Sequence, residues 1–444
     1  MARAQVTDLV VVLPGILGSR LADAEGRAVW DLSGPALLRG LRNFGGSVGA
    51  LRLPKDIGDG DPGDGVVPVG LMPDLHALPG IWHPVDGYTD LLRWLERHFT
   101  LSVSDNLLTF PYDWRLSCRY NAGRLKDRMG LELERWRASA PERREARVVF
   151  LCHGMGGLVA RHYVERLGGD GITRRVITLG TPHRGSLRAL ADLVEDGDRR
   201  DRDRELGAFA RSLPSLHQLA PDYACLEGPG GLAHLRDLPG LPGVDEALLA
   251  DAARFHADLR DAPPRADLYA IAGTGQPTAT TARHARDRLV LLPEADGDGT
   301  VPRLDTAAGV TRSRTPYAWW TPYEQHGSLQ NNAAVREALR GLLGDEPLPP
   351  EEPAAADPAA GLGVRVPPVL PAGVPYEVTV TAPDDERLLM AELCPADGGR
   401  PAARALRSLG GGRYGVAFPP PEPGAYRLSV GPVTALSLIR RSAL

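Results

Sequence analysis

Short apolar runs alternate with amphipathic stretches along the first 345 residues of the chain. Residues 9–13 are all apolar and are followed at once by Pro14, so they predict a buried strand and are too short for a secretion signal. In the segment 88–99, apolar residues recur at the spacing of one helix face. By the same two patterns we expect further strands over 107–110, 147–152, 176–179 and 268–272, and further helices over 124–138, 156–167 and 333–343. Such alternation is typical of a mostly parallel sheet flanked by helices.

The pattern loosens between residues 185 and 264. Residues 195–205 form a run of mixed charge that predicts a solvent-facing helix or loop. We therefore expect an insertion over about 186–264, forming a cap or lid on an α/β domain of residues 1–345.

The hydrophobic period changes to two near the C-terminus. Residues 346–362 are rich in proline and predict a semi-rigid linker. Beyond it, alternating stretches over 376–382, 413–418 and 424–430 lie between Pro/Gly turns. This pattern predicts a small all-β domain over 363–444, with an immunoglobulin-like sandwich as the expected architecture.

Composition narrows the classes of partner. The formal net charge is −5, which gives no broad electrostatic reason to bind nucleic acid. No run approaches the ~18 apolar residues of a membrane-spanning helix, although peripheral membrane contact stays open. The four cysteines show no close pairing and no metal-ligand spacing, so we expect reduced thiols, no metal and no cofactor. A cytoplasmic location is the expectation, and secretion by another route stays open.

Residues 150–163 carry the most informative motif. An apolar strand runs into a turn of small residues and then into a helical stretch. In α/β-hydrolases this arrangement is the nucleophile elbow, G-x-S-x-G, which holds a serine at the N-terminus of a helix. Here Gly154 occupies the position of that serine. A phosphate-binding loop is the alternative, but Leu158 and Val159 stand where such a loop needs Lys and Ser or Thr.

An acid and a histidine follow the elbow in the chain order of α/β-hydrolase triads. Asp298 lies in the segment 296–302 and His326 in the segment 323–328. The histidine of a triad accepts the hydroxyl proton, and the carboxylate fixes its tautomer. Two backbone N–H groups must also stabilise the oxyanion, and we assign them to Met155, which follows the elbow position, and to Ile16 in the loop after the first strand.

Four segments give a family resemblance. Residues 14–19 (PGILGS), 110–115 (FPYDWR), 179–186 (LGTPHRGS) and 297–301 (GDGTV) are similar to blocks of lecithin:cholesterol acyltransferases and lysosomal phospholipases. The chain therefore resembles a bacterial member of this α/β-hydrolase family over about residues 8–343. The resemblance implies lipase, phospholipase or acyltransferase chemistry on acyl-ester lipids, with Asp298 rather than Asp296 as the acid. Secreted members have a lid closed by a disulfide, and this sequence has no matching cysteine pair.

Glycine at position 154 cannot form an acyl-enzyme, so we expect negligible covalent acyl transfer. Cys152 and Ser328 are poor substitutes, and water activated by His326 would give weak hydrolysis at most. Two explanations stay open. In the favoured one, Gly154 is an introduced or recent change in a working hydrolase. In the other, the protein is a natural pseudoenzyme that binds a lipid, or a protein partner through the C-terminal domain.

Overall fold

The computed structural model describes residues 3–31, 51–73, 75–76, 84–194, 201–228, 230–237, 240–262, 265–285, 288–294, 297–303, 305, 319–344 and 361–440. Asp296 and most of the predicted linker (residues 346–360) lie outside these ranges. In the N-terminal part the strands are β1 (Leu9–Leu13), β2 (Ser19–Ala22), β3 (Ala28–Trp30), β4 (Val67–Leu71), β5 (Leu107–Thr109), β6 (Val148–His153), β7 (Thr173–Leu179), β8 (Leu226–Gly228), β9 (Gly231–Ala233), β10 (Asp267–Ile271), β11 (Thr278–Ala285), β12 (Arg288–Glu294) and β13 (Trp319–Trp320). The α-helices are α1 (Thr89–His98), α2 (Cys118–Ala138), α3 (Gly156–Arg166), α4 (Leu187–Leu193), α5 (Asp201–Arg211), α6 (Pro214–Gln218), α7 (Glu246–Asp261) and α8 (Ala333–Gly344).

The central sheet has six parallel strands in the order β13-β10-β7-β6-β1-β5. Strand β1 shows why its sequence is apolar throughout. Leu9, Val11 and Leu13 belong to one hydrophobic cluster, and Val10 and Val12 belong to another on the opposite face. Because side chains alternate across a strand and helices cover both faces, a central parallel strand has no solvent side.

Smaller sheets surround this core. Strands β2, β3 and β4 form an antiparallel sheet next to the N-terminal loop. Strands β8 and β9 join the β11–β12 hairpin in a second sheet. The described part of the predicted insertion, 186–264, contains four helices and strands β8 and β9, and its role as a lid stays a prediction.

The C-terminal region is entirely β within the described residues. Its strands are β14 (Gly363–Arg365), β15 (Val369–Pro371), β16 (Tyr376–Thr381), β17 (Met390–Pro395), β18 (Ala402–Ala405), β19 (Arg407–Gly410), β20 (Arg413–Phe418), β21 (Gly424–Val430) and β22 (Val433–Arg440). They form one sheet in the order β14-β16-β20-β19 and another in the order β15-β22-β21-β17-β18. A separate apolar cluster, with Tyr376, Tyr414 and Leu428 fully buried, joins the two sheets. The predicted all-β fold is confirmed.

The predicted fold class, a parallel sheet flanked by helices, is also confirmed. The predicted strands and helices are all present, with ends that differ by a few residues. The helix predicted over 124–138 begins earlier, at Cys118, because the Ser117 side chain accepts a hydrogen bond from the Tyr120 N–H and caps it. Of the mixed-charge run, residues 201–205 lie in helix α5; residues 195–200 lie outside the described ranges.

Candidate active site

The turn between β6 and α3 has the backbone of a nucleophile elbow. Gly154 has a φ of +49°, a left-handed conformation that non-glycine residues adopt at a cost. Its neighbours in the turn are closely packed: a Cβ on Gly156 would lie 2.5 Å from the Pro14 carbonyl oxygen, and one on Gly157 would lie 2.2 Å from Thr181 Oγ1. These glycines therefore let the helix start directly against the neighbouring loops.

Asp298 and His326 form a buried hydrogen-bonded pair. His326 Nδ1–H donates to Asp298 Oδ2 over 2.8 Å. The other carboxylate oxygen, Oδ1, accepts the backbone N–H groups of Thr300 (2.9 Å) and Val301 (2.6 Å), which fixes the carboxylate plane. Because Nδ1 carries the proton, the lone pair of the neutral imidazole is on Nε2.

That lone pair faces Gly154. A Cβ built on Gly154 would lie 3.3 Å from His326 Nε2 and 3.6 Å from the Gly15 Cα. A hydroxyl one bond further would be within hydrogen-bond reach of Nε2. The three residues that the sequence assigned to a triad are thus brought together, with glycine at the position predicted for the nucleophile.

The two predicted oxyanion donors line the same small cavity. Ile16, Met155, Gly154 and His326 all contribute to its walls. Within the described part of the chain, the backbone N–H groups of Ile16 and Met155 donate to no protein acceptor. Both are therefore available to a ligand oxygen, as an oxyanion hole requires.

The segment Phe110–Arg115 fastens the loop that carries Ile16. The Tyr112 hydroxyl donates to the Pro14 carbonyl (2.8 Å), and the Tyr112 N–H donates to Ser19 Oγ (3.0 Å). Arg115, fully buried, holds the segment itself through two-pronged contacts with Asp113. This segment is one of the four that resemble the acyltransferase family, and in the structure it holds the loop after β1 in place.

A series of buried hydrogen bonds, which the sequence did not reveal, links the loop after β1 to His326. His153 Nε2 lies 3.0 Å from the His326 carbonyl, which can only accept, so Nε2 carries the proton. Nδ1 then accepts from the Tyr88 hydroxyl (3.0 Å), which in turn accepts the Gly15 N–H (2.9 Å). Burial and the nearby His326 imidazole lower the pKa of His153 to about 3, so it stays neutral. Nothing in the sequence around Tyr88 marks this contact, because its partners are far away in the chain.

The alternative nucleophiles are poorly placed. Cys152 is fully buried in the apolar cluster beneath the sheet, and burial raises the pKa of its thiol well above the usual value. Ser328 is also buried, and its Oγ has no hydrogen-bond partner in the described part of the chain. It does not line the cavity beside His326. Cys152 does not line this cavity either.

The described residues contain no group of three or more His, Cys, Asp or Glu side chains arranged to hold a metal ion. None of the described helices is both long enough and apolar enough to span a membrane.

Comparison with known proteins gives a family match over part of the chain. The family model of lecithin:cholesterol acyltransferase matches residues 84–203, which include the elbow and the segments 110–115 and 179–186. Comparison with curated protein sequences gives no match.

Among solved structures, the chain is similar to one from the Tle4–Tli4 complex, with 16% identity, coverage of 78% of this chain and 98% of that chain, and a TM-score of 0.49. It is also similar to the mature lipase BlEst2 of Bacillus licheniformis, with 13% identity, coverage of 76% and 91%, and a TM-score of 0.36. From its own sheet topology, this chain has the α/β-hydrolase fold, and its residues 84–203 resemble lecithin:cholesterol acyltransferase.

Proposed function

We propose that this chain is a serine-hydrolase scaffold for acyl esters, of the lipase, phospholipase or acyltransferase type, and that it is inactive or nearly so because Gly154 replaces the nucleophile. One observation carries the proposal: a Cβ at position 154 would lie 3.3 Å from His326 Nε2. A serine there would need only a small shift of the His326 imidazole to place its hydroxyl beside Nε2.

With serine at position 154, the chemistry would proceed in two halves. His326 Nε2 takes the hydroxyl proton as Oγ attacks the ester carbonyl, and the N–H groups of Ile16 and Met155 donate to the oxyanion. His326 then returns the proton to the leaving alcohol, which departs and leaves an acyl-enzyme. Water or a second alcohol attacks the acyl group by the same steps in reverse. Asp298 holds the imidazole and stabilises its charged form throughout.

Glycine removes the first of these steps. Loss of a triad nucleophile lowers turnover by about a millionfold in a well-studied protease, and what is left comes from binding and the oxyanion hole. His326 still has a free Nε2 beside a small cavity, so weak hydrolysis by an activated water is the most that the chain with Gly154 should show.

The surroundings favour an apolar acyl group as the ligand. Val85, Leu219 and Val301 line the cavity beside His326. Leu219 belongs to the insertion over 186–264, which supports our proposal that this segment covers the site as a lid. An acyl-ester lipid is the proposed substrate class. We also propose that the chain is divided into a hydrolase domain (1–345), a linker (346–362) and an all-β domain (363–444).

A second candidate is a natural pseudoenzyme that keeps the cavity to bind a lipid or a protein partner. Glycine at the left-handed φ of +49° is consistent with it, because the turn then carries no backbone strain. The two candidates differ in one experiment: Gly154→Ser should confer ester hydrolysis and covalent labelling by a fluorophosphonate under the first and neither under the second.

A further inference from the structure

Hydrogen bonds from the C-terminal sheets converge on the two residues that precede His326. The Thr434 N–H donates to Glu324 Oε1 over 2.8 Å. Gln325 Nε2 donates to the Val364 carbonyl, also over 2.8 Å. Since these residues are adjacent to His326 in the chain, the contacts restrict the backbone that carries its imidazole.

The loop that carries Asp298 is also held by the segment around Val364. The Gln276 N–H donates to the Gly297 carbonyl over 3.0 Å, next to Asp298. The side chain of Gln276 is fully buried and donates to the Leu362 carbonyl (3.1 Å) while accepting the Val364 N–H (3.0 Å). Both members of the Asp–His pair are therefore tied to residues 362–364.

An ion pair closes the contact beyond His326. Arg427 on β21 reaches both oxygens of the buried Asp86, at 2.5 and 3.1 Å. The Asp86 N–H donates to the Gly327 carbonyl (2.8 Å), and its carboxylate also accepts Asn331 Nδ2 (2.8 Å). A guanidinium that binds a carboxylate in two-pronged fashion fixes orientation as well as distance.

We propose that the all-β region over 361–440 is a positioning element for the Asp298–His326 pair, a role that rests on the proposed hydrolase function. The contacts of Glu324 and Gln325 reach the chain just before His326, and the contact of Arg427 with Asp86 reaches it just after His326. The contacts of Gln276 reach the loop that carries Asp298. Val364 and Leu436 of this region also line an open cleft, shared with Asp298 and His326, of about 780 Å³ counting the solvent at its mouth. Displacement of a reacting group by about 1 Å can cost roughly 100-fold in rate, so this region sets turnover without touching the substrate's reacting atoms.

The test uses full-length chains with Arg427→Met, which keeps the length of the side chain and removes the ion pair with Asp86. In the Gly154→Ser background we expect kcat to fall about tenfold while KM changes little, because imidazole placement and not binding is altered. Arg427→Lys keeps the charge but not the two-pronged geometry, so it should recover part of kcat. Arg387→Met is the matched control, since Arg387 pairs with Asp384 within the same region (3.4 Å), and it should leave kcat unchanged.

A second readout does not depend on activity. In the chain with Gly154, the low-field proton resonance of His326 Nδ1 reports its hydrogen bond to Asp298, and Arg427→Met should broaden or abolish it. If Arg427→Met does not fold, Gln325→Met removes the contact with Val364 alone and takes its place. Folded variants that keep both the resonance and kcat would overturn the positioning role. An inert Gly154→Ser would defeat the proposed function, and the resonance would still decide the role of the C-terminal region.

Discussion

Serine at position 154 should lower the free energy of unfolding slightly and raise the rate of ester hydrolysis greatly. The φ of +49° places the residue in the left-handed region, where an L-residue costs roughly 1–2 kcal/mol relative to glycine. The new Cβ would stand 3.3 Å from His326 Nε2, so the imidazole must shift by a few tenths of an ångström. We therefore expect Gly154→Ser to fold, with a free energy of unfolding about 1–2 kcal/mol lower than that of the chain with Gly154.

The expected gain in rate is much larger. A restored nucleophile is worth about a millionfold in turnover, which corresponds to roughly 8 kcal/mol of activation free energy. The N–H groups of Ile16 and Met155, which have no acceptor among the described residues, and the Asp298–His326 pair are already in place, so no further substitution should be required. Hydrolysis of a p-nitrophenyl ester and labelling by a fluorophosphonate should both appear.

Two controls separate chemistry from strain. Gly154→Ala imposes the same backbone strain without a hydroxyl, so it should match Gly154→Ser in stability and stay inactive. Gly154→Ser combined with His326→Gln keeps the hydroxyl and removes the base, so it should be neither labelled nor active. A Gly154→Ser protein that folds, yet hydrolyses no ester and takes up no fluorophosphonate, would refute the reasoning from geometry.

Three further outcomes follow from buried groups around the site. Tyr88→Phe removes the hydroxyl that accepts the Gly15 N–H, so we expect the free energy of unfolding in urea to fall by about 1–3 kcal/mol. We also expect a lower kcat in the Gly154→Ser background. An unchanged free energy of unfolding would contradict this. Gly157→Ala places a Cβ 2.2 Å from Thr181 Oγ1 and should destabilise the elbow by about 1–3 kcal/mol, whereas Gly123→Ala on helix α2, with open space around it, should not. Burial raises the pKa of Glu324 to about 8 from 4.5, so the stabilisation that comes from its protonated form is full below pH 4.5 and is lost as pH rises through 8. Thermal unfolding should therefore show Glu324→Gln gaining stability relative to the unsubstituted chain between pH 5 and pH 9. An equal difference in stability between the two proteins at both pH values would argue against it.

The sequence determined the parts that depend on neighbouring residues in the chain. The apolar run Leu9–Leu13 predicted a strand buried on both faces, because period and length are local properties. The small residues around position 154 predicted a tight turn, and the order of Gly154, Asp298 and His326 predicted which groups should meet. The alternating segments near the C-terminus predicted an all-β region for the same reason.

Tertiary structure alone decided the contacts between distant segments. The chain from Gly15 through Tyr88 and His153 to His326 joins four separate elements, and no single segment carries a pattern for it. The contacts of Arg427 with Asp86 and of Gln325 with Val364 likewise join residues far apart in sequence. Periodicity reports which face of an element is buried, but not which element covers it. The packing of the whole sheet sets the 3.3 Å between His326 Nε2 and a Cβ built on Gly154.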